Sequence, residues 1–366
     1  MKTAPRILIT AGEESADRHA ACVVRQIRQI IPDAHVLGMG GPEMKDSGVE
    51  ILYSMKELSV MGFSEVLPKL AGILKVYSGL KEIIRTMKPD VFIPVDLPDF
   101  NMRLAGFAKK KGVKVLYYVA PQAWAWRAYR ARVLSRITDG LAVIFPFEEA
   151  YFRKSGVDAR YVGHPFMEEN NVPAADSSWP VKRIAMMPGS RKDEIIRMLP
   201  VMMDARRLVD NEIKGIEWML PLARGIDRAF VEGFTDGSVK LTNGIPDADL
   251  AMAKSGTACF ETAIKEIPQV ICYKTSPINY YLARIFVKVK TIGMPNIAIG
   301  RAVVPELIQH DLTPERLAEE GLKFINDREL FIRTKQEFTH MRESLEGGRA
   351  SLKVAQWATN LIRKTN

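Results

Sequence analysis

Residues 183–209 read "RIAMMPGSRKDEIIRMLPVMMDARRLV". An apolar run ends in Pro-Gly-Ser-Arg, acidic residues follow at once, and apolar residues then recur at helical spacing. That is a strand, a tight loop and a helix, the unit from which covered parallel sheets are built. The loop itself has two readings, and one does not exclude the other. Gly189 permits a tight turn and close backbone approach. A helix starting near Arg191 presents unpaired N–H groups and a positive dipole end, worth about 0.3–1 kcal/mol to an anion. Arg191 adds a guanidinium suited to bidentate phosphate contact. Equally, Ser190 reads as a helix N-cap, with Asp193 and Glu194 stabilising the first turn.

The same rhythm extends outward in both directions. "RILIT" (6–10), "DAHVLGMGG" (33–41), "DVFIPVD" (90–96), "KVLYYVA" (114–120) and "GLAVIF" (140–145) read as strands bordered by helix-like stretches. On the other side, "IEWMLPLA" (216–223), "VKLTNG" (239–244) and "QVICYK" (269–274) read as strands, and the C-terminal segments read as helices. Near-continuous apolar strands between helices mean parallel sheets covered on both faces. The stretch "GHPFMEENNVPAADSSWPVK" (163–182), rich in Pro, Asn, Ser and Asp, breaks the rhythm and reads as a linker. A chain of 366 residues also exceeds one ordinary core. The expected fold is therefore α/β, two Rossmann-like parallel-sheet domains in series. The boundaries fall at 1–168 and 169–345, with 346–366 a helix packing back on the N-terminal domain. Ligands of such sheets bind outside the carboxyl ends of the strands, and the cleft between two such domains is the default site.

The totals exclude several classes. The three cysteines, Cys22, Cys259 and Cys272, are odd in number and lack CxxC spacing, which argues for a reducing compartment and against a disulfide or zinc framework. The start, "MKTAPRILITAGEES", has no long apolar core of a signal peptide. The longest uncharged runs, such as "VLYYVAPQAWAW" (115–126), fall short of the roughly 20 residues of a membrane span. A net charge of +9 suits an anionic membrane surface, phosphorylated substrates or nucleic acid, or is simply a solvated basic face. Nucleic acid is disfavoured, because no finger, RNA-binding signature or long basic arm is present.

Turns after strands hold the candidate residues. In "AKSGTACFETAI" (253–264), Ser255, Gly256 and Thr257 open a helix, either as a second anion cradle or as a plain cap. Glu261, in its second turn, suits vicinal hydroxyls. In "PVDLPDFNMRLA" (94–105), Asp96 and Asp99 stand before Asn101. A carboxylate there serves as general base for an attacking hydroxyl, and Asp99 reads equally as an N-cap. "ITAGEESADRHAA" places Glu13, Ser15 and Asp17 after the first strand, with His19 read as structural. "YYVAPQAWAWRAYRAR" (117–132) interleaves aromatics with arginines around Gln122, Trp124 and Arg127, which suits sugars or phosphates, or buried packing under a basic face. "SVMGFSEVLPKLAGILKVYSGL" (59–80), with Met61 and Phe63, is a core helix or a contact for acyl chains. Asp247 and Asp249 in "PDADLAMA" have the spacing of a metal-binding pair, but they precede a helix-like run and such pairs are common; no metal site is expected.

Taken in order, "AGEES.D", "GMGGPEM", "MGFSEVLPKL", "DLPDFN", "YYVAPQAWAWR", "IFPFE", "YVGHP", "MPGSR..EI", "AKSGTACFE", "PNIAIG" and "VPELIQ" resemble the lipid-A-disaccharide synthase family, inverting glycosyltransferases of the GT-B fold. The resemblance spans about residues 7 to 310. It implies transfer of 2,3-diacylglucosamine from its UDP donor to the 6-hydroxyl of 2,3-diacylglucosamine 1-phosphate. The products are the β-1,6 disaccharide 1-phosphate and UDP, and no metal or other cofactor takes part. By similarity, the C-terminal domain binds UDP through Gly189, Ser190, Arg191, Ser255, Gly256, Thr257, Glu261 and Asn296. The N-terminal domain takes the acceptor and its acyl chains through Ser15, Met61, Phe63, Asn101, Gln122, Trp124 and Arg127. Asp99 is the expected base, with Asp96, Glu13 and Asp17 as competitors.

The resemblance further implies a cytoplasmic protein held peripherally at the inner-membrane surface. It is compatible with a homodimer. One departure is visible: Ser15-Ala16-Asp17 stands where the family has Ser-Gly-Asp, which is costly if that position requires positive φ. The rival readings are a GT-B enzyme acting on a soluble UDP-sugar, as UDP-N-acetylglucosamine 2-epimerase does, and a non-enzymatic nucleotide-binding module.

Overall fold

The computed structural model describes residues 4–57, 66–169, 174–223, 225–276, 280, 291–346 and 348–364. The chain divides into two compact units, Met1–Asn170 with Leu345–Asn366, and Asn171–Ser344.

Unit 1 runs β1 (Arg6–Ala11), α1 (Glu14–Ile30), β2 (His35–Gly40), α2 (Pro42–Asp46), β3 (Glu50–Ser54), α3 (Val66–Met87), β4 (Val91–Val95), α4 (Pro98–Lys110), β5 (Lys114–Tyr118), α5 (Tyr129–Ile137), β6 (Gly140–Val143), α6 (Pro146–Arg153), β7 (Ala159–Tyr161) and α7 (Pro165–Glu169). Its strands pair in parallel in the order β3-β2-β1-β4-β5-β6-β7. Successive strand residues point to opposite faces. Ile7, Ile9, Ile93 and Leu116 accordingly join one core layer, while Leu8, Phe92 and Val115 join the other. Because helices cover both layers, β4 is buried at every position, and its sequence is apolar without alternation.

Unit 2 runs β8 (Arg183–Met187), α8 (Lys192–Glu212), β9 (Glu217–Leu222), α9 (Arg228–Glu232), β10 (Val239–Asn243), β11 (Leu250–Lys254), α10 (Thr257–Ile264), β12 (Gln269–Tyr273), α11 (Met294–Ile299), β13 (Glu306–Ile308), α12 (Pro314–Asn326) and α13 (Arg328–Leu345). Its parallel order is β10-β9-β8-β11-β12-β13. The final helix α14 (Ala350–Arg363) belongs to unit 1, where Val354, Ala355 and Ala358 pack with α1 residues Ala20, Val24 and Ile27. The Trp357 indole lies 2.4 Å from the position a Cβ on Gly140 would take, so only glycine fits beneath it.

Each sheet reverses its winding once, between β1 and β4 in unit 1 and between β8 and β11 in unit 2. Diverging connections at such a point leave a crevice at the carboxyl ends of the two strands, and ligands of doubly wound sheets bind there. The loops after β1, β4, β8 and β11 are thereby singled out.

Two expectations need correction. The run after Asp249 is not helical; it is β11, in the interior of the second sheet. A short apolar run buried on both faces has no periodicity that separates helix from strand. Asp249 is itself buried, and its carboxylate accepts hydrogen bonds from Ser178 N, Lys182 N and Arg183 N at 2.9–3.0 Å, besides pairing with the Arg183 guanidinium at 2.8 Å. It anchors the segment entering β8. Residue 16 lies inside α1, in helical backbone, so alanine costs nothing there.

Candidate functional site

After β4 the backbone turns through two consecutive non-glycine residues with positive φ, Asp96 (+51°) and Leu97 (+49°). Such backbone costs about 1–3 kcal/mol per residue and persists only where its surroundings over-determine it. Here Asp96 N donates to Tyr118 O (2.9 Å), while Asp96 O accepts from Tyr117 Oη (2.7 Å) and Asn101 Nδ2 (2.8 Å). Thr10 Oγ1 in turn donates to Asn101 Oδ1 at 2.9 Å. Pro98 then opens α4. Asn101 is fully buried and its amide is spent on this turn, so it positions the loop.

The Leu97 side chain closes over Gly12, 2.5 Å from where a Cβ would stand, and this brings the β1 loop against the β4 loop. Glu13 lies there, exposed, at the N-cap position of α1 without capping it. Burial, followed by the charge of Glu13, pushes the Asp96 carboxyl up to about 7. Ser15 Oγ donates to Glu13 Oε1 at 3.3 Å. Asp17 is different. It is buried, and it accepts from the N–H groups of Gly41, Glu43 and Met44 at 2.7–3.3 Å, which ties its carboxylate to the start of α2.

Asp99 begins α4 but caps nothing. It is largely exposed, and its Oδ1 accepts from Arg127 Nη1 at 2.9 Å and from Arg130 Nη2. Both guanidiniums lie over the Trp126 ring, 4.3 and 5.1 Å from its centre. Trp124 Nε1 donates to Glu148 Oε1 at 3.0 Å. Burial raises that carboxyl to about 7, against the pull of the Trp124 and backbone N–H donors. Gln122 is exposed on the same loop. Met61 and Phe63 lie outside the described residues.

In unit 2 the helix after β8 begins at Lys192, so Arg191 and not Ser190 takes the N-cap position. A guanidinium accepts no hydrogen bond, and the carboxylate of Glu194 alone reaches back to the loop. Glu194 Oε2 accepts from Ser190 N at 3.0 Å and Arg191 N at 3.3 Å. Gly189, at φ +121°, has no room for a Cβ, because Glu194 Oε2 stands 2.4 Å from where it would be. The Arg191 side chain is 73% exposed and projects from the loop.

The β11 loop supplies Gly256 at φ +152°, with exposed Thr257 opening α10 and half-buried Glu261 one turn further on the same face. Ser255 donates its hydroxyl to Ile292 O at 3.0 Å. Asn296 is fully buried. Its amide donates to Val304 O (2.9 Å) and Glu306 Oε1 (2.8 Å), and its oxygen accepts from Val303 N (2.7 Å) and Val304 N (3.1 Å). Asn296 therefore holds the α11–β13 connection. Among the described residues, no group of three or more His, Cys, Asp or Glu is arranged to hold a metal.

The sequence model described as lipid-A-disaccharide synthetase matches residues 7–359. The chain belongs to this family. A lipid-A-disaccharide synthase of Myxococcus xanthus is 42% identical over 338 residues, covering 87% of this chain and 88% of the relative. One from Geobacter metallireducens is 37% identical and covers 100% of both. Solved structures show the fold alone. The calicheamicin glycosyltransferase CalG4 has a TM-score of 0.64 at 12% identity, over 100% of this chain and 99% of the other. Neisseria meningitidis UDP-GlcNAc 2-epimerase has a TM-score of 0.63 at 11% identity, over 97% and 100%. Both fit the GT-B class of paired Rossmann-like units.

Family motifs and switch-point loops coincide at Glu13, Asp96, Arg191 and Gly256. Two charged side chains beside these loops went unread in the sequence. Arg130 is a buried partner of Asp99, signalled only by its spacing from Arg127. Lys254 is a cation at the last position of β11, signalled only by its place just before "SGT".

Proposed function

We propose that this member of the lipid-A-disaccharide synthase family is a glycosyltransferase of lipid A biosynthesis that moves 2,3-diacylglucosamine from UDP to the 6-hydroxyl of 2,3-diacylglucosamine 1-phosphate, with inversion at C1. The family match over residues 7–359 carries this reading. The loop geometry of each unit supports it.

Unit 2 takes the donor. Arg191, the loop at Gly189 and Ser190, and the start of α10 at Gly256 and Thr257 meet the diphosphate, and Glu261 meets the ribose. Unit 1 takes the acceptor. As O6 attacks C1, the bond from C1 to the phosphate oxygen breaks. The O6 proton passes to a carboxylate, and the charge on UDP is met by Arg191 and the backbone donors. We assign the proton acceptor to Asp96 rather than Asp99. Asp96 stands in over-determined backbone beside Glu13, with a proton affinity matched to neutral pH. Oδ1 of Asp99 is held by two guanidiniums, so we assign Asp99 to orienting Arg127 and Arg130 toward the acceptor phosphate.

The same reading places the protein at an anionic bilayer. Residues 66–137 contain fourteen Lys and Arg against four Asp and Glu, while the whole chain has a net charge of +9, so the rest is close to neutral. Helices α3, α4 and α5, packed in succession, expose Leu74, Tyr129 and Val133 among Lys75, Arg103, Arg132 and Arg136. Basic side chains around scattered apolar ones suit a lipid surface. Among the described residues, no helix is long and apolar enough to cross a membrane.

The deciding assay compares acylated with non-acylated UDP-glucosamine as donor, with diacylglucosamine 1-phosphate as acceptor. Disaccharide should form only from the acylated donor. Equal use of both donors, or epimerisation without transfer, returns the reading to an enzyme of soluble UDP-sugars.

A further inference from the structure

Lys254 ends β11 after four buried apolar residues, directly beside β8 at the switch point. Its Nζ donates to Glu194 Oε1 at 2.9 Å, across sixty residues of sequence. The pair is mostly buried, with 22% of the lysine and 18% of the glutamate side chain exposed. The other oxygen of Glu194 rests on the Ser190 and Arg191 N–H groups. The same ammonium lies 3.6 Å from the point a Cβ on Gly256 would occupy. One cation thus stands between the mouths of α8 and α10.

A half-buried ammonium is costly without a counter-charge, and Glu194 supplies it. Burial pushes the Glu194 carboxyl up, but the hydrogen bond and charge of Lys254 outweigh it and hold the carboxyl below its ordinary range. A carboxylate oxygen seated on loop N–H groups and an ammonium presents the acceptor chemistry of a phosphate oxygen.

We propose that Lys254 is a ligand of the donor diphosphate, with Glu194 as its counter-ion until the donor binds. This rests on the assignment of the UDP donor to unit 2. The four-carbon stem lets the ammonium turn toward an anion over Gly256, which carries no side chain of its own. A diphosphate brings more charge than one carboxylate, so the ammonium turns to it when the donor enters. Lys254 then adds a second cation to Arg191 where charge develops on the departing UDP.

The test measures UDP and uridine binding calorimetrically for the full chain, Lys254→Met, Lys254→Gln, Lys254→Arg and Arg191→Ala, with thermal melts of each. Lys254→Met and Lys254→Gln should weaken UDP about ten- to a hundredfold and leave uridine unchanged, while Lys254→Arg keeps most of the affinity. Lys254→Gln retains a donor toward Glu194, which separates loss of charge from loss of fold. Unchanged UDP binding in Lys254→Gln, or an equal loss for uridine, overturns the inference. If the unaltered chain binds no UDP, the donor assignment falls and this inference with it. If UDP binding depends on Arg191 and not on Lys254, this inference alone falls.

Discussion

A single carboxyl illustrates how far residue identity goes. The sequence placed Asp96 and Asp99 three apart in a strand-end turn, and the family resemblance put Asp99 first as base. The structure separates them through backbone and partners: one is pressed into a strained turn beside Glu13, the other is exposed between arginines. Because a base acts deprotonated, kcat/KM should fall about tenfold per pH unit as pH drops below about 7, the value to which Asp96 is raised. Asp96→Asn should abolish turnover while holding or raising Tm at pH 8, since asparagine tolerates positive φ and carries no charge to bury. Glu148, also raised to about 7, is the competing origin of that limb. A limb that survives in Glu148→Gln and turnover that survives in Asp99→Asn are the expected outcomes; full turnover in Asp96→Asn removes Asp96 as base. Arg191→Ala should weaken UDP binding about tenfold or more and change stability by less than about 0.5 kcal/mol. Its side chain is exposed, and its 3.9 Å approach to Glu194 contributes little. Parallel losses in calorimetry and melting would contradict a binding role.

At the scale of elements, long apolar runs such as those of β1, β4, β5 and β8 were legible because burial on both faces leaves no polar position to confuse the pattern. β11 was not, because four apolar residues and a lysine after two aspartates fit a helix as well. The edge strands β7 and β13, with three residues each, are too short to show a period, and β3 is nowhere fully buried. The cradle after β8 was legible in outline, yet its cap was misassigned by one residue. Which N–H a side chain accepts depends on where the chain leaves the strand, and Glu194 reached back further than the pattern showed. Helix α14 draws its stability from its seat on α1 and over Gly140. Trp357→Ala should therefore cost about 3–5 kcal/mol in chemical unfolding of unit 1. A loss below 1 kcal/mol would show that α14 is not part of that core.

At the scale of the whole molecule, the concentration of charge in residues 66–137 makes a prediction that total charge does not. Binding to vesicles of anionic lipid should weaken steeply between low and physiological salt, because exposed charges are screened within about 8–10 Å. Reversal of Arg103, Arg132 and Arg136 to glutamate should remove most of it, while UDP binding in unit 2 stays unchanged. Sedimentation with vesicles reads the first and calorimetry the second; salt-independent binding would leave apolar contact as the whole cause.

By itself the sequence determined the α/β class, the restart of the pattern after residue 182, the family, and the loops in which chemistry sits. All of these follow from local order along the chain: runs, turns and motifs. Only the tertiary structure decided what each polar side chain in those loops is spent on. Asp17, Asn101, Asp249 and Asn296 have the same composition and spacing as active residues, yet long-range backbone partners use up their lone pairs and N–H groups. Glu13, Asp96, Arg191 and Lys254 stand instead in the loops at the carboxyl ends of the sheets, where Lys254 pairs with Glu194 and Asp96 lies beside Glu13. A buried acceptor takes whichever donor the fold brings to it, and sequence spacing does not record distances closed across 24, 71 or 60 residues.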